Sequence, residues 1–129
     1  MSRPLIFALV LFAILSGHAE AARSSVCTHS SDSREEEACY QRALDDAQLE
    51  LKKKYASVSA LLGTKDRKEA LSRSQKTWGL YVTQTCDGLV RFATQESKLA
   101  RADVLSCKVE LTRERTHDLD RMLYDTLHD

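Results

Sequence analysis

From Tyr40 onward, apolar and small side chains return in steps of three and four: Tyr40, Ala43, Ala47, Leu51, Tyr55, Val58 and Leu62. Side chains at that spacing share one face of a helix. Just upstream, Ser33-Arg34-Glu35-Glu36 reads as a capping box, with Ser33 accepting from the third helical amide and Glu36 reaching back. Gly63 supplies the left-handed residue that closes a helix, and Thr64 caps the next one at once. A Gly-Thr junction between two periodic runs predicts a tight helical hairpin.

The second run carries Leu71, Ser74, Trp78, Tyr81, Val82, Thr85, Leu89 and Phe92 on one stripe, interrupted but not broken by Gly79 and Gly88. Thr94 to Asp103 is less periodic and fits either a loop or a short helix. A third run, with Val104, Cys107, Leu111, Leu119, Met122 and Tyr124 or Leu127, continues towards the end of the chain. The only proline is Pro4, so nothing downstream forbids long helices, and no alternating β-branched run suggests a sheet. The pattern predicts an all-α fold: a small bundle of about three long helices, a hairpin plus a C-terminal helix. Arg115 falls on the inner stripe between Leu111 and Leu119. A buried guanidinium needs a partner, so it reads as a structural arginine, paired for instance with a first-helix acid, rather than a ligand contact.

The front of the chain is of another kind. Met1 to Ala21 has Arg3, an apolar stretch from Leu5 to Leu15, and Ala19-Glu20-Ala21 at the end, which is the layout of a cleavable signal peptide. The apolar stretch is too short for a membrane-spanning helix. Cleavage after Ala21 of the 129-residue chain leaves about 108 residues, one small domain. The expected division is a signal peptide over 1–21, a polar Ser-rich lead-in over 22–32 and a helical domain over 33–129. Cys27, Cys39, Cys86 and Cys107 then meet an oxidising compartment, periplasmic or extracellular, where an even count means disulfides. Four cysteines allow three connectivities and the sequence does not select among them. Locality favours Cys27–Cys39 and Cys86–Cys107. Metal binding is disfavoured because none of the four stands in a CxxC pair.

Lys plus Arg and Asp plus Glu both number 19, a formal net charge of zero, which argues against a nucleic-acid partner. The balance conceals an asymmetry. Asp32, Glu35, Glu36, Glu37, Asp45, Asp46 and Glu50 come first, followed by Lys52, Lys53, Lys54, Lys65, Arg67 and Lys68. Helix electrostatics accounts for that order. The sharper reading makes Glu35, Glu36, Glu37, Asp45 and Asp46 a docking face for a basic protein partner. His29, His117 and His128 are scattered without metal-ligand spacing, and neither a phosphate loop nor a nucleophile elbow is present. Trp78 and Tyr81, one turn apart on an apolar stripe, read as core before ligand platform. The residues point to no enzyme and no cofactor, and leave the oligomeric state open.

Gln75-x-x-Trp78-x-x-Tyr81-x4-Cys86, followed by Cys107-x3-Leu111-Thr112-x-x-Arg115-x3-Leu119, resembles the lysozyme inhibitor LprI-like domain family of bacterial exported proteins. Cys39-x3-Ala43 and Ala47-x3-Leu51-x3-Tyr55 agree with that family's opening helix. The resemblance implies that Tyr55, Gln75, Trp78, Tyr81, Leu111, Thr112 and Arg115 are mainly structural. It also implies a protein-binding domain that covers or plugs the cleft of a lysozyme-type muramidase. The alternative is an envelope interaction or immunity-like module with a non-lysozyme partner. The chain departs from the family in having Val82 and Thr83 where a basic and an acidic residue are common. It also lacks glycine between Ala93 and Leu105, where the family often carries Gly-Gly-Ser.

Overall fold

The structure, a computed structural model, describes Cys27 and residues 32–128. The expected signal peptide, the lead-in other than Cys27 and Asp32, His29, and the side chains of Leu127 and His128 lie outside the described residues. Helix α1 spans Ser33–Leu61. Its cap is Asp32 rather than Ser33: the Asp32 carboxylate accepts from the Arg34 amide at 2.9 Å, and the Asp32 carbonyl accepts from Glu36 N–H at 3.1 Å. Both residue types cap well, and a carboxylate additionally meets the positive end of the helix dipole. Tyr40, Leu44, Ala47, Leu51 and Val58 are buried along α1, so Leu44 joins the stripe and Ala43 lies at its edge.

Gly63 ends the helix at φ 68°, the only positive φ among the described residues. Thr64 follows in extended conformation at the cap position of α2 (Lys65–Val82), although its hydroxyl makes no capping bond there. The helix does not stop at Val82. It widens into a π-helical segment over Thr83–Val90 and returns to α geometry in α3 (Arg91–Thr94), making one rod. The widening is visible at its exit, where Arg91 N–H donates to the carbonyl of Cys86, five residues back.

A turn over residues 95–99 then leads into α4, Ala100–His128, so Thr94 to Asp103 is part turn and part helix. Ser97 holds the turn: its amide donates to the Thr94 carbonyl at 2.7 Å, and its hydroxyl accepts from Leu99 N–H at 3.0 Å.

The closest pairing in the bundle joins α1 and α4. They run parallel, as ion pairs Glu37–Arg101 near their starts and Lys54–Asp120 further along both require. The side chains between them repeat in threes and fours, with Tyr40, Leu44, Ala47, Leu51 and Val58 on α1 and Ala102, Leu105, Val109, Thr112 and Leu119 on α4. That is the spacing of a heptad seam. α4 therefore has two inner faces, because the stripe read from the sequence (Cys107, Leu111, Arg115) turns to the α2 rod instead. Near the end of α4, Leu123 packs inward while Met122 and Tyr124 are exposed, contrary to the stripe as read.

The core divides in two. Leu51, Val58, Leu71 and Leu119 gather with Tyr55, Leu62, Trp78 and Leu123 towards the Gly63 turn. Cys27, Tyr40 and Ala102, with Cys39 and Leu105, form the other cluster where α1 and α4 begin.

Candidate functional site

Both disulfides lie at the end where α1 and α4 start. Cys27 pairs with Cys39 and Cys86 with Cys107, as locality favoured. Cys86 is fully buried and sits within the π segment, so the second bridge ties the widened part of the rod to the opening turns of α4.

The acids singled out in the sequence begin at this end but do not form one patch. Glu35 is exposed, and Glu37 turns towards α4 to meet Arg101 at 3.0 Å. Asp45 accepts from the Gln41 side-chain amide at 3.0 Å. Asp46, its neighbour, points about 100° away round the helix and lines a groove between α1 and α4. Glu35 and Asp46 fall about three turns apart on one flank, and Glu36 is turned about 100° from Glu35.

The same end carries a set of cations that the sequence reading did not assemble. Arg91, Arg101 and Lys108, with Asp87, Gln95 and Leu105, line an open pocket of about 660 Å³ between the rod and α4. Asp87 accepts from Lys108 at 2.9 Å and lies 3.8 Å from Arg91. Charge counts alone do not reveal this grouping, because the residues come from two helices.

The rod also presents apolar side chains to solvent. Leu80, Tyr81, Leu89 and Phe92 are 58, 52, 68 and 71 % exposed. Three of them (Tyr81, Leu89 and Phe92) were read as inward-facing; the π segment accounts for Leu89 and Phe92, which follow its start at Thr83, whereas Tyr81 precedes it in α2. Each wider turn takes up an extra residue, so a stripe drawn at the α spacing drifts off the core. Cys86 takes the inward position instead.

The remaining motif residues cluster on the body of the bundle. Arg115 donates to the Gln75 side-chain oxygen at 3.1 Å and to the Ser74 hydroxyl at 2.9 Å. Its partners are on α2, and no first-helix acid is among them. Gln75 and Trp78 join Tyr55, Leu51, Gln48 and Lys52 around a groove of about 310 Å³ between α1 and α2. Thr112 is buried and Leu111 half-buried on α4. Tyr81 stands apart from this group, on the exposed face.

His117 lies in the α1–α4 groove of about 490 Å³, with Asp46, Glu50, Lys54 and Asp120. The Lys54 ammonium donates to Asp120 and, with its charge, holds that carboxyl below the ordinary carboxylate range; His117 adds a smaller pull the same way. Among the described residues no cluster of His, Cys, Asp or Glu could hold a metal ion, and no helix is long and apolar enough to cross a membrane.

What the stapled end offers chemically is contact: ion pairs of both signs beside exposed apolar side chains on a braced backbone. A family model described as lysozyme inhibitor LprI matches residues 27–119, from Cys27 to the fully buried Leu119. No curated protein and no solved structure gives a match.

Proposed function

Because the chain belongs to the lysozyme inhibitor LprI family, we propose that it is an exported, periplasmic or secreted, domain that inhibits lysozyme-type muramidases by covering or plugging the enzyme cleft. The observation that carries this reading is the extent of the family match, which spans both disulfides and all three long helical segments. Residues 1–21 act as the export signal, which delivers the four cysteines to a compartment where disulfides persist. The body that results is preorganised at one end, so docking orders few side chains and loses little entropy.

Glu35, Glu36, Glu37, Asp45 and Asp46 steer a basic enzyme towards the inhibitor. Complementary charge of this kind raises association rate and specificity more than final affinity. Glu35 and Asp46, on one flank, act together in this.

A cell-wall clearing assay tests the reading, with the oxidised chain from Ala22 titrated against lysozymes of different types and a reduced sample alongside. Dose-dependent inhibition that disappears on reduction is expected. Reversing Glu35, Glu36 and Asp46 to lysine should slow association by about tenfold at low salt and by less at high salt. An unchanged rate would remove the acids from the mechanism. The glycine-free turn before α4 favours a second reading, an envelope or immunity-like module with a different protein target. Clearing that continues at full rate with folded, oxidised protein against every lysozyme would select it.

A further inference from the structure

The α2–π–α3 rod turns four large apolar side chains outward. Leu80, Tyr81, Leu89 and Phe92 are each more than half exposed on a segment of roughly 18 Å at the usual helical rise. Scattered single apolar residues on a surface need no explanation, but a run of them on one helix marks a contact surface. We propose that this face, with the adjacent Arg91 and Arg101, is the part of the inhibitor that seats in the muramidase cleft. The inference rests on the inhibitor reading and adds to it the identity of the inserting surface.

Three observations converge. First, the side chains are those that dominate binding energy at protein interfaces, aromatic residues and arginine, with leucines filling between them. Secondly, the face brackets the π segment, with Leu80 and Tyr81 before it, Leu89 within it and Phe92 just after, and such geometry is found disproportionately at functional sites. Its backbone is held by the Cys86–Cys107 bridge, so the face keeps its shape before a partner arrives. Thirdly, its charge suits the cleft of a glycosidase, which is built around a pair of carboxylates. Arg91 immediately precedes Phe92 and lines the same pocket as Arg101, and their side chains are 65 and 82 % exposed. Among the described residues the Arg91 guanidinium has a long 3.8 Å ion contact to Asp87 and Arg101 an ion pair to Glu37, and both are largely exposed, so either can turn to a carboxylate of the partner. The acids of α1 and the two arginines, Arg91 on the rod and Arg101 on α4, then have separate tasks. The first attract the enzyme as a whole, and the second meet its catalytic groups.

The test uses the oxidised, exported chain and two variants, Leu89→Ser with Phe92→Ser, and Arg91→Glu with Arg101→Glu. Each is checked for helicity and for the absence of free thiols. Binding to a lysozyme that the wild type inhibits should weaken by about thirtyfold or more in the first variant and by about tenfold in the second. Neither should lose helicity, since the substituted side chains are already in solvent. Inhibition within twofold of wild type by the folded Leu89/Phe92 variant overturns the proposal and leaves the inhibitor reading standing. A wild-type dimer that this variant converts to monomer, with inhibition intact, assigns the face to a second copy and also overturns it. If the wild type inhibits no lysozyme at all, the inhibitor reading and this surface fall together.

Discussion

Arg115 sits on a helix face that the hydrophobic pattern reserves for apolar side chains, and it stays there because α2 supplies two acceptors. Its guanidinium donates to Gln75 and Ser74, both uncharged, so among the described residues the charge is hydrogen-bonded without a counter-ion. Arg115→Ala should lower stability by about 1–3 kcal/mol in urea denaturation, because Gln75 and Ser74 lose their donor and the bundle its packed stem. Lysine should restore only part, since one ammonium cannot reproduce the forked geometry. Asp120 gives a prediction in pH. Its carboxyl titrates below the ordinary range because Lys54 bonds and attracts it. A depressed folded-state value means that the contribution is present above the unfolded value and lost as pH falls through the folded one. The stability difference between wild type and Asp120→Asn should therefore shrink towards zero on acidification below the usual carboxylate range. Added salt should reduce it too, because Asp120 is largely exposed. Chemical denaturation at a series of pH values measures both effects. That Arg115 is structural could be read from its place in the stripe. Its partners could not, since Ser74 and Gln75 lie some forty residues upstream.

At the scale of the element, α1 and the Gly63 closure were legible because spacing, cap and left-handed glycine agree with one another. The cap itself shifted by one residue, since two good capping residues stand side by side. The rod was legible only as far as Trp78. Periodicity assumes a constant number of residues per turn, and the π segment violates that assumption without a marker in composition. Of the misassigned side chains, Leu89 lies within it and Phe92 just beyond it, while Tyr81 precedes it in α2. α4 was misread for a different reason: it faces two neighbours at once, and a single stripe cannot describe two inner faces. The Cys86–Cys107 bridge holds the rod at the point where its geometry changes. Replacing both cysteines by alanine should cost about 3 kcal/mol of stability in the chain-entropy account of a 21-residue separation, again measured by urea denaturation. Native-state hydrogen exchange should show the amides of Thr83–Val90 gaining most in exchange rate. Uniform acceleration along the whole chain would mean that the bridge acts on the unfolded state alone.

As a whole, the molecule is divided along its length. One end holds both disulfides, the acids of the first turn, the cation-lined pocket and the exposed apolar face. The other holds the Gly63 turn and the cluster around Leu51, Val58, Leu71 and Leu119, secured by burial without covalent help. The fold class followed from the hydrophobic pattern, whereas this polarity could not, because it depends on α1 and α4 running in the same direction. Neutral net charge is equally silent about it, since it records only that charges of both signs sum to zero. The parallel course of α1 and α4 also fixes where the molecule can be held. Helix α4 leaves the stapled end and travels about 44 Å, at the usual rise for its 29 residues, before it stops beside the opposite turn. A handle placed after Asp129, whether an affinity tag, a fluorophore or a bead, is thus carried to the far pole. A chip coated through that handle displays every copy upright, with the disulfide-braced end towards the solution.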